Sequence, residues 1–317
     1  IRTMIRLSLI IATYSRSAQL AVTLRSVAAQ QAPRGEWECV VVDNNSTDDT
    51  AACVARFAAE HPSLSLRCVG ELRQGLSYAR NRGIAETRGT HIALLDADDA
   101  WRPGFLAEIA SLVADYPHCG LYCTGFDIRS DGEAIHPAPT PAERGVVADF
   151  FAASIHRYVA IPSAAVVPRR VFDTVGGFPE GMKLGEDQWM WIRIADRYPI
   201  CFSPAREAVY SCVEDTGSAA IYTPELTRHS FEELYDPAGP AARNEYVARA
   251  ALARALTISA KGGTAEAARA ARFFAYTRRY RTTLWKIRLL NRLPASWRQP
   301  LLALYNRAAW LLARKGL

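Results

Sequence analysis

The chain has 317 residues, half of them hydrophobic and 22% charged, a balance that excludes a disordered polymer and fits one large globular domain, with room for an appendage. Thirteen Lys and Arg fall in residues 261–317 beside a single acid, Glu266, so a tail of +12 follows a body of −6, which points to an anionic partner for the tail, either membrane or nucleic acid. Seven scattered cysteines with no CxxC pair, and six histidines without ligand spacing, exclude a zinc or disulfide scaffold and read as reduced, buried thiols.

Short β-branched runs at 7–11, 39–42, 64–69 and 92–95 alternate with helical periods, the pattern of βαβ units around a mostly parallel sheet. The periods are carried by Leu20, Leu24 and Val27, by Val54 and Phe57, and by Ala79, Gly83 and Ala85. Ser46, followed by Thr47, Asp48 and Asp49, predicts an N-terminal cap with acids in the first turn. Pro103 suits the start of a helix ending near Asp115. Past Cys119 the pattern turns to strands and loops, with strands expected at 121–128 and near 164–167. From Thr223 onward it reads as helices broken at 237–240, Gly262-Gly263, Pro294 and Pro300. The expected division is therefore 1–222, itself split into 1–118 and 119–222, and a helical basic region 223–317. No apolar run reaches the roughly 18 to 20 residues of a spanning helix. Residues 5–12 lack the length and flanks of a signal peptide, so a cytosolic protein is expected.

Three constellations carry chemistry. Val40-Val41-Val42-Asp43-Asn44-Asn45-Ser46 is a buried strand ending in an acid. Ligands of open α/β sheets bind at the carboxyl ends of strands, so Asp43 either meets a ligand or caps its own turn. His91-Ile92-Ala93-Leu94-Leu95-Asp96-Ala97-Asp98-Asp99 delivers three carboxylates within four residues. With alternation, Asp96 and Asp98 share one side, and acids so crowded either face solvent or await a hard cation such as Mg2+ or Mn2+. Glu186-Asp187 opens a helix that continues with Trp189, Trp191 and Ile192. Taken alone, these acids favour the helix dipole.

Together with Ile10-Ile11-Ala12-Thr13-Tyr14-Ser15-Arg16, Arg73-Gln74-Gly75, Ala79-Arg80-Asn81-Arg82-Gly83 and Gly176-Gly177-Phe178-Pro179-Glu180, these motifs resemble, in order and across about 7–210, the family 2 glycosyltransferases of the GT-A fold. The resemblance implies an α/β fold with a Rossmann-like nucleotide-binding half, a mixed sheet and a C-terminal helical extension. It implies a nucleotide-sugar donor, most often a UDP-sugar, with Thr13, Tyr14 and Asp43 at the uridine, Arg80 near the base or diphosphate, Asp96 at the ribose, and Asp98 on a divalent metal, Mn2+ or Mg2+. Asp187 matches the general base of an inverting transferase, and Glu186 and Trp189 fall where acceptor or donor-sugar contacts are expected. The family's frequent later His ligand has no counterpart in 210–218. The Gln-x-x-Arg-Trp segment of processive members is also missing, which favours addition of a single sugar.

In the tail, aromatic and aliphatic residues interleave with Arg from 272 to 314. This pattern suits a helix lying in a membrane interface, or else faces packed on the catalytic domain. The first alternative suggests an acceptor carried on a polyprenyl diphosphate at the inner face of the cell membrane, in assembly of a bacterial surface polysaccharide or glycan. Two other readings compete. A sugar-phosphate nucleotidyltransferase also pairs an α/β domain with acidic ligands, but its Gly-rich N-terminal signature is missing. A nucleic-acid-binding protein would use the Arg-rich tail, although no binding motif accompanies it.

Overall fold

The computed structural model describes residues 7–31, 37–129, 135–212 and 225–314. The chain divides into two compact units, Ile1–Val213 and Glu214–Leu317; position 222, where the sequence places the boundary, lies outside the described residues.

The first unit contains strands β1 (Leu7–Thr13), β2 (Trp37–Asp43), β3 (Leu66–Gly70), β4 (His91–Asp96), β5 (Ala100–Trp101), β6 (Leu121–Arg129), β7 (Ile135–Pro137), β8 (Gly145–Val146), β9 (Ala165–Pro168) and β10 (Ile200–Ser211). Its helices are α1 (Ser17–Ala28), α2 (Thr50–Glu60), α3 (Leu76–Glu86), α4 (Phe105–Asp115), α5 (Phe150–His156), α6 (Arg169–Val175) and α7 (Glu186–Ala195). Among the described residues the strands form one sheet, ordered β3-β2-β1-β4-β9-β6-β10-β5, with β7 on β6 and β8 on β10. β3, β2, β1 and β4 run parallel, β9 is antiparallel to both β4 and β6, and β6 and β10 run parallel. This is the expected mixed sheet, and its central strand β1 is buried along its whole length, as a strand covered on both faces must be.

Leu20, Leu24 and Val27 of α1 pack on Leu9, Ile11, Cys39 and Val41 in the core. On α3, Gly83 lies so close to β1 that a Cβ there would overlap the Ile10 side chain. The glycine thus sets how near the helix sits to the sheet.

Two expectations need correction, and one long strand was not expected at all. α2 starts at Thr50, not after Ser46, and Asp49 at its N-cap makes no side-chain cap bond. The Ser46 hydroxyl instead accepts from Ser15 N at 2.8 Å, tying the β2 loop to the β1 loop. The longest strand, β10, was not read from the sequence, because Pro204, Arg206 and Glu207 interrupt its apolar run where its register with β6 shifts. Pro300 lies inside its helix and does not break it, although an interior proline removes one backbone bond and crowds the carbonyl four residues earlier.

The second unit holds α8 (Ala241–Lys261), α9 (Thr264–Phe273), α10 (Arg281–Arg292) and α11 (Ala295–Arg314). α9, α10 and α11 each pack on α8, and α10 also packs on α9. The buried faces are built from alanines with Val247, Leu252, Ile258, Phe274, Leu284, Ile287 and Leu290. Gly262, at φ 112°, closes α8 in the left-handed region. Among the described residues no helix is long and apolar enough to cross a membrane.

Candidate active site

The parallel register aligns the carboxyl ends of three strands. Thr13 stands opposite Asp43, and Ala12 opposite Asp96. Each motif therefore delivers its polar residue to one edge of the sheet, where the next loop begins. Thr13 is 4% exposed, and its Oγ1 is buried without a hydrogen-bond partner among the described residues. Tyr14, next to it, is 45% exposed. Asp43 accepts from Ser46 N at 2.9 Å through Oδ1, which closes its turn.

The acidic turn after β4 divides its labour. The strand ends at Asp96, so the alternation expected to carry Asp98 to the same side does not extend to it; a turn closed by Asp99 N on Asp96 O at 3.1 Å follows instead. Asp98 is ion-paired with Arg16 from the β1 loop. Burial raises its carboxyl pKa and the Asp96 charge adds to this, while Arg16 opposes both. Asp99 is 1% exposed and accepts from Ser163 Oγ at 2.5 Å and from Ser211 N at 2.7 Å. Burial drives its pKa well above the ordinary carboxylate value. Asp99 is thus a buried latch between the entrance to β9 and the end of β10.

Arg80 is 2% exposed and spans two acids, giving Nη2 to Asp96 Oδ1 and Nη1 to Glu186 Oε1, both at 2.9 Å. Its guanidinium also lies 5.2 Å from the centroid of the Phe178 ring. The sequence placed this cation beside the base or diphosphate; in the fold it faces the two carboxylates and joins the carboxyl edge of the sheet to α7. Asn81, one residue on, grips the Gly176–Phe178 segment, and a Cβ at Gly177 would sit 2.5 Å from its Oδ1. Arg73 reaches from Glu71 to Glu180 at 3.2 Å, a second strap between the same two stretches of chain.

α7 begins after Gly185, whose φ of 79° suits glycine. Glu186 and Asp187 occupy its first turn. Burial pushes both carboxyls up, Glu186 to about 7, with Arg80 opposing in each case. Asp187 is only partly buried. Trp189 is 2% exposed, and the Arg193 guanidinium lies 4.6 Å from its ring centroid. It anchors the helix in the core.

Sequence reasoning missed Asn44, which is 3% exposed. Its Nδ2 donates to Glu71 O and Arg73 O at 2.8 Å, and its Oδ1 accepts from Gly75 N at 2.7 Å, fixing the loop between β3 and α3 beneath Asp43. The only signal was an Asn directly after a strand-ending acid. Arg16, the partner of Asp98, was also missed, because ion pairs across loops leave no periodicity. Most of the segment searched for a later metal ligand, 213–218, lies outside the described residues.

The glycosyl transferase family 2 profile matches residues 8–176. The glycosyltransferase AglE of Haloferax volcanii is 29% identical over 205 residues, spanning 62% of this chain and 64% of its own. The matches to three curated relatives cover between 25% and 64% of their lengths, so the chain spans less than two thirds of each. Among solved structures, S. aureus TarS 1-349 in complex with UDP-GlcNAc superposes with a TM-score of 0.60 at 19% identity, covering 86% of this chain and 74% of that one. The mannosyltransferase PcManGT from Pyrobaculum calidifontis, in complex with GDP-Man and Mn2+, gives 0.58 at 22%, covering 98% and 81%. The fold is therefore that of the GT-A glycosyltransferases.

Proposed function

The chain belongs to glycosyl transferase family 2, and on that premise we propose that this glycosyltransferase moves a single sugar from a UDP-sugar to a glycan hydroxyl with inversion at the anomeric carbon. The observation that carries the reading is the bridge from Asp96 through Arg80 to Glu186, because it ties the donor edge to the helix that presents Asp187. TarS, with its bound UDP-GlcNAc, supports the choice of uridine.

In this reading Thr13, Tyr14 and Asp43 contact the uridine, where the orphan Thr13 hydroxyl would gain a partner. Asp96 meets the ribose on the side away from Arg80. Asp187 accepts the proton of the acceptor hydroxyl as its oxygen attacks opposite the nucleotide, and Arg80 stays in place as the counter-charge of the acids around it. Glu186 orients the sugars through its fixed position.

The residues fit a divalent cation, Mn2+ or Mg2+. Asp98 is a half-buried carboxylate between the charges of Arg16 and Asp96. Among the described residues no group of three or more His, Cys, Asp or Glu could hold an ion, and such cations bind through one or two carboxylates together with phosphate oxygens. Asp98 would hold the ion, with Arg16 giving way. The ion would supply charge neutralisation at the departing diphosphate.

The acceptor is read as a glycan on a polyprenyl diphosphate, in assembly of a bacterial surface polysaccharide or glycan, met by a cytoplasmic enzyme held peripherally at the inner membrane face. The residues 223–317 are read as the part that makes this contact, and 1–222 as the catalytic domain. Thermal shift and hydrolysis with UDP-, GDP-, dTDP- and CMP-sugars, with and without Mn2+, test the donor on wild type and Asp98→Ala. Stabilisation by a UDP-sugar that needs both the ion and Asp98 is expected. Selective stabilisation by a different nucleotide sugar would overturn the uridine reading.

A further inference from the structure

We propose that α10 and α11 form an interfacial docking surface for an anionic lipid bilayer, in which exposed Trp285 and Trp297 insert among the acyl chains and the arginines around Trp285 hold phosphate headgroups. The proposal rests on the membrane contact read above for 223–317 and names the residues and the lipid chemistry that make it; it is independent of the donor reading, because the surface belongs to a unit that contains none of the candidate site residues.

The observation is an inversion of where tryptophan sits. Trp37, Trp101, Trp189 and Trp191 of the first unit are at most 9% exposed, whereas Trp285 and Trp297 are 62% and 63% exposed. A large amphipathic ring left in water marks a surface built for a partner or an interface.

Its surroundings identify the partner. On α10, Leu284, Ile287 and Leu290 face inward, while Arg281, Trp285, Arg288 and Arg292 recur at helical spacing and all are exposed. This places one ring in a stripe of guanidinium groups. On α11, Trp297, Leu301 and Leu304 recur at the same spacing, at 63%, 40% and 67% exposure. After Glu266 the sequence holds no acid through Leu317, so nothing along these helices repels an anionic surface. A nucleic acid would use the arginines, but it offers no apolar phase for Leu301 and Leu304. A bilayer offers both layers in the right order, phosphate outside and hydrocarbon beneath.

The test uses the full chain in flotation with vesicles of phosphatidylcholine containing 30% phosphatidylglycerol, with pure phosphatidylcholine and duplex DNA as the other arms. Binding to the anionic vesicles with a blue shift of tryptophan emission is expected, lost on pure phosphatidylcholine. Trp285→Ala/Trp297→Ala should abolish the blue shift and weaken binding at least about tenfold. Each of Arg281→Ala and Arg288→Ala should weaken it about fivefold, the equivalent of about 1 kcal/mol per basic residue. All four positions are exposed, so unchanged circular dichroism and melting certify the fold. The proposal falls if the full chain stays unbound, if the tryptophan pair can be removed without effect, or if DNA competes for the same protein and binds it more tightly than the vesicles do. Donor-dependent stabilisation is measured on the same samples; its absence would count against the donor reading and leave the lipid result standing.

Discussion

Asn81 holds the peptide groups of Phe178 from both sides, its Oδ1 accepting from Phe178 N at 2.8 Å and its Nδ2 donating to Phe178 O at 2.9 Å. One side chain on α3 thereby stands in for a strand partner and fixes the segment that leads to α7. Asn81→Ala leaves a donor and an acceptor without partners and should cost about 2 to 3 kcal/mol in urea unfolding. A change below about 0.5 kcal/mol would mean that water replaces the side chain.

Arg80 is the only positive charge set directly between Asp96 and Glu186 among the described residues. Arg80→Ala strands two carboxylates around a buried hole and should destabilise the first unit by about 3 to 5 kcal/mol. Arg80→Lys keeps the charge but cannot hold both acids in one plane, so it should recover only part of the loss. Full recovery by lysine would show that charge alone matters there.

The raised carboxyl of Glu186 gives a signed pH effect. Between its ordinary 4.5 and about 7 the folded protein keeps a proton that the unfolded chain has released. That stabilisation is complete below pH 4.5 and is lost as pH rises through about 7. The stability of wild type minus that of Glu186→Gln should therefore fall across this window and level off above it. Denaturant midpoints from about pH 4 to 8 measure it, and a rise would show that Arg80 keeps Glu186 ionised throughout.

Asp187, raised by burial, should give transfer an acid limb above the usual carboxylate range. Asp187→Asn should lower kcat by about 10² to 10⁴ while donor affinity holds. A variant within tenfold of wild type would place the base elsewhere.

Gly83→Ala forces a methyl group into Ile10 and should cost about 1 to 3 kcal/mol. Ile10→Ala also destabilises on its own, by opening a cavity in the core. In the double variant the two costs should not add, because the methyl enters the space that the isoleucine leaves. Simple additivity in thermal unfolding would mean that the helix shifts instead.

Much of this was legible before the fold. Strands 7–11, 39–42, 92–95 and 121–128 all lie within observed strands, because buried parallel strands need unbroken apolar runs that survive in one dimension. The edge that gathers Thr13, Asp43 and Asp96 follows from three such strands ending in step. The hidden part is what passes between segments far apart in sequence. The destination of Arg80 depends on Glu186, 106 residues later, and that of Asp99 on Ser163 and Ser211. A run of three acids gives no hint that the third faces inward. β10 escaped for a different reason, since a bulged strand tolerates the proline and charges that local preference rejects.

The reversal of direction at β9 has a consequence of its own. Because β9 runs against β4, the stretch just before it comes to the carboxyl edge, where Ser163 Oγ accepts from Asp96 N at 3.1 Å. The edge that holds Thr13, Asp43 and Asp96 is thus bolted from the far half of the unit, by Ser163, Ser211 and Glu186 together. The first half, 1–118, is not a module that could be cut out and kept. Ended at residue 118, it would retain every residue named at its edge and lose the fasteners that aim them.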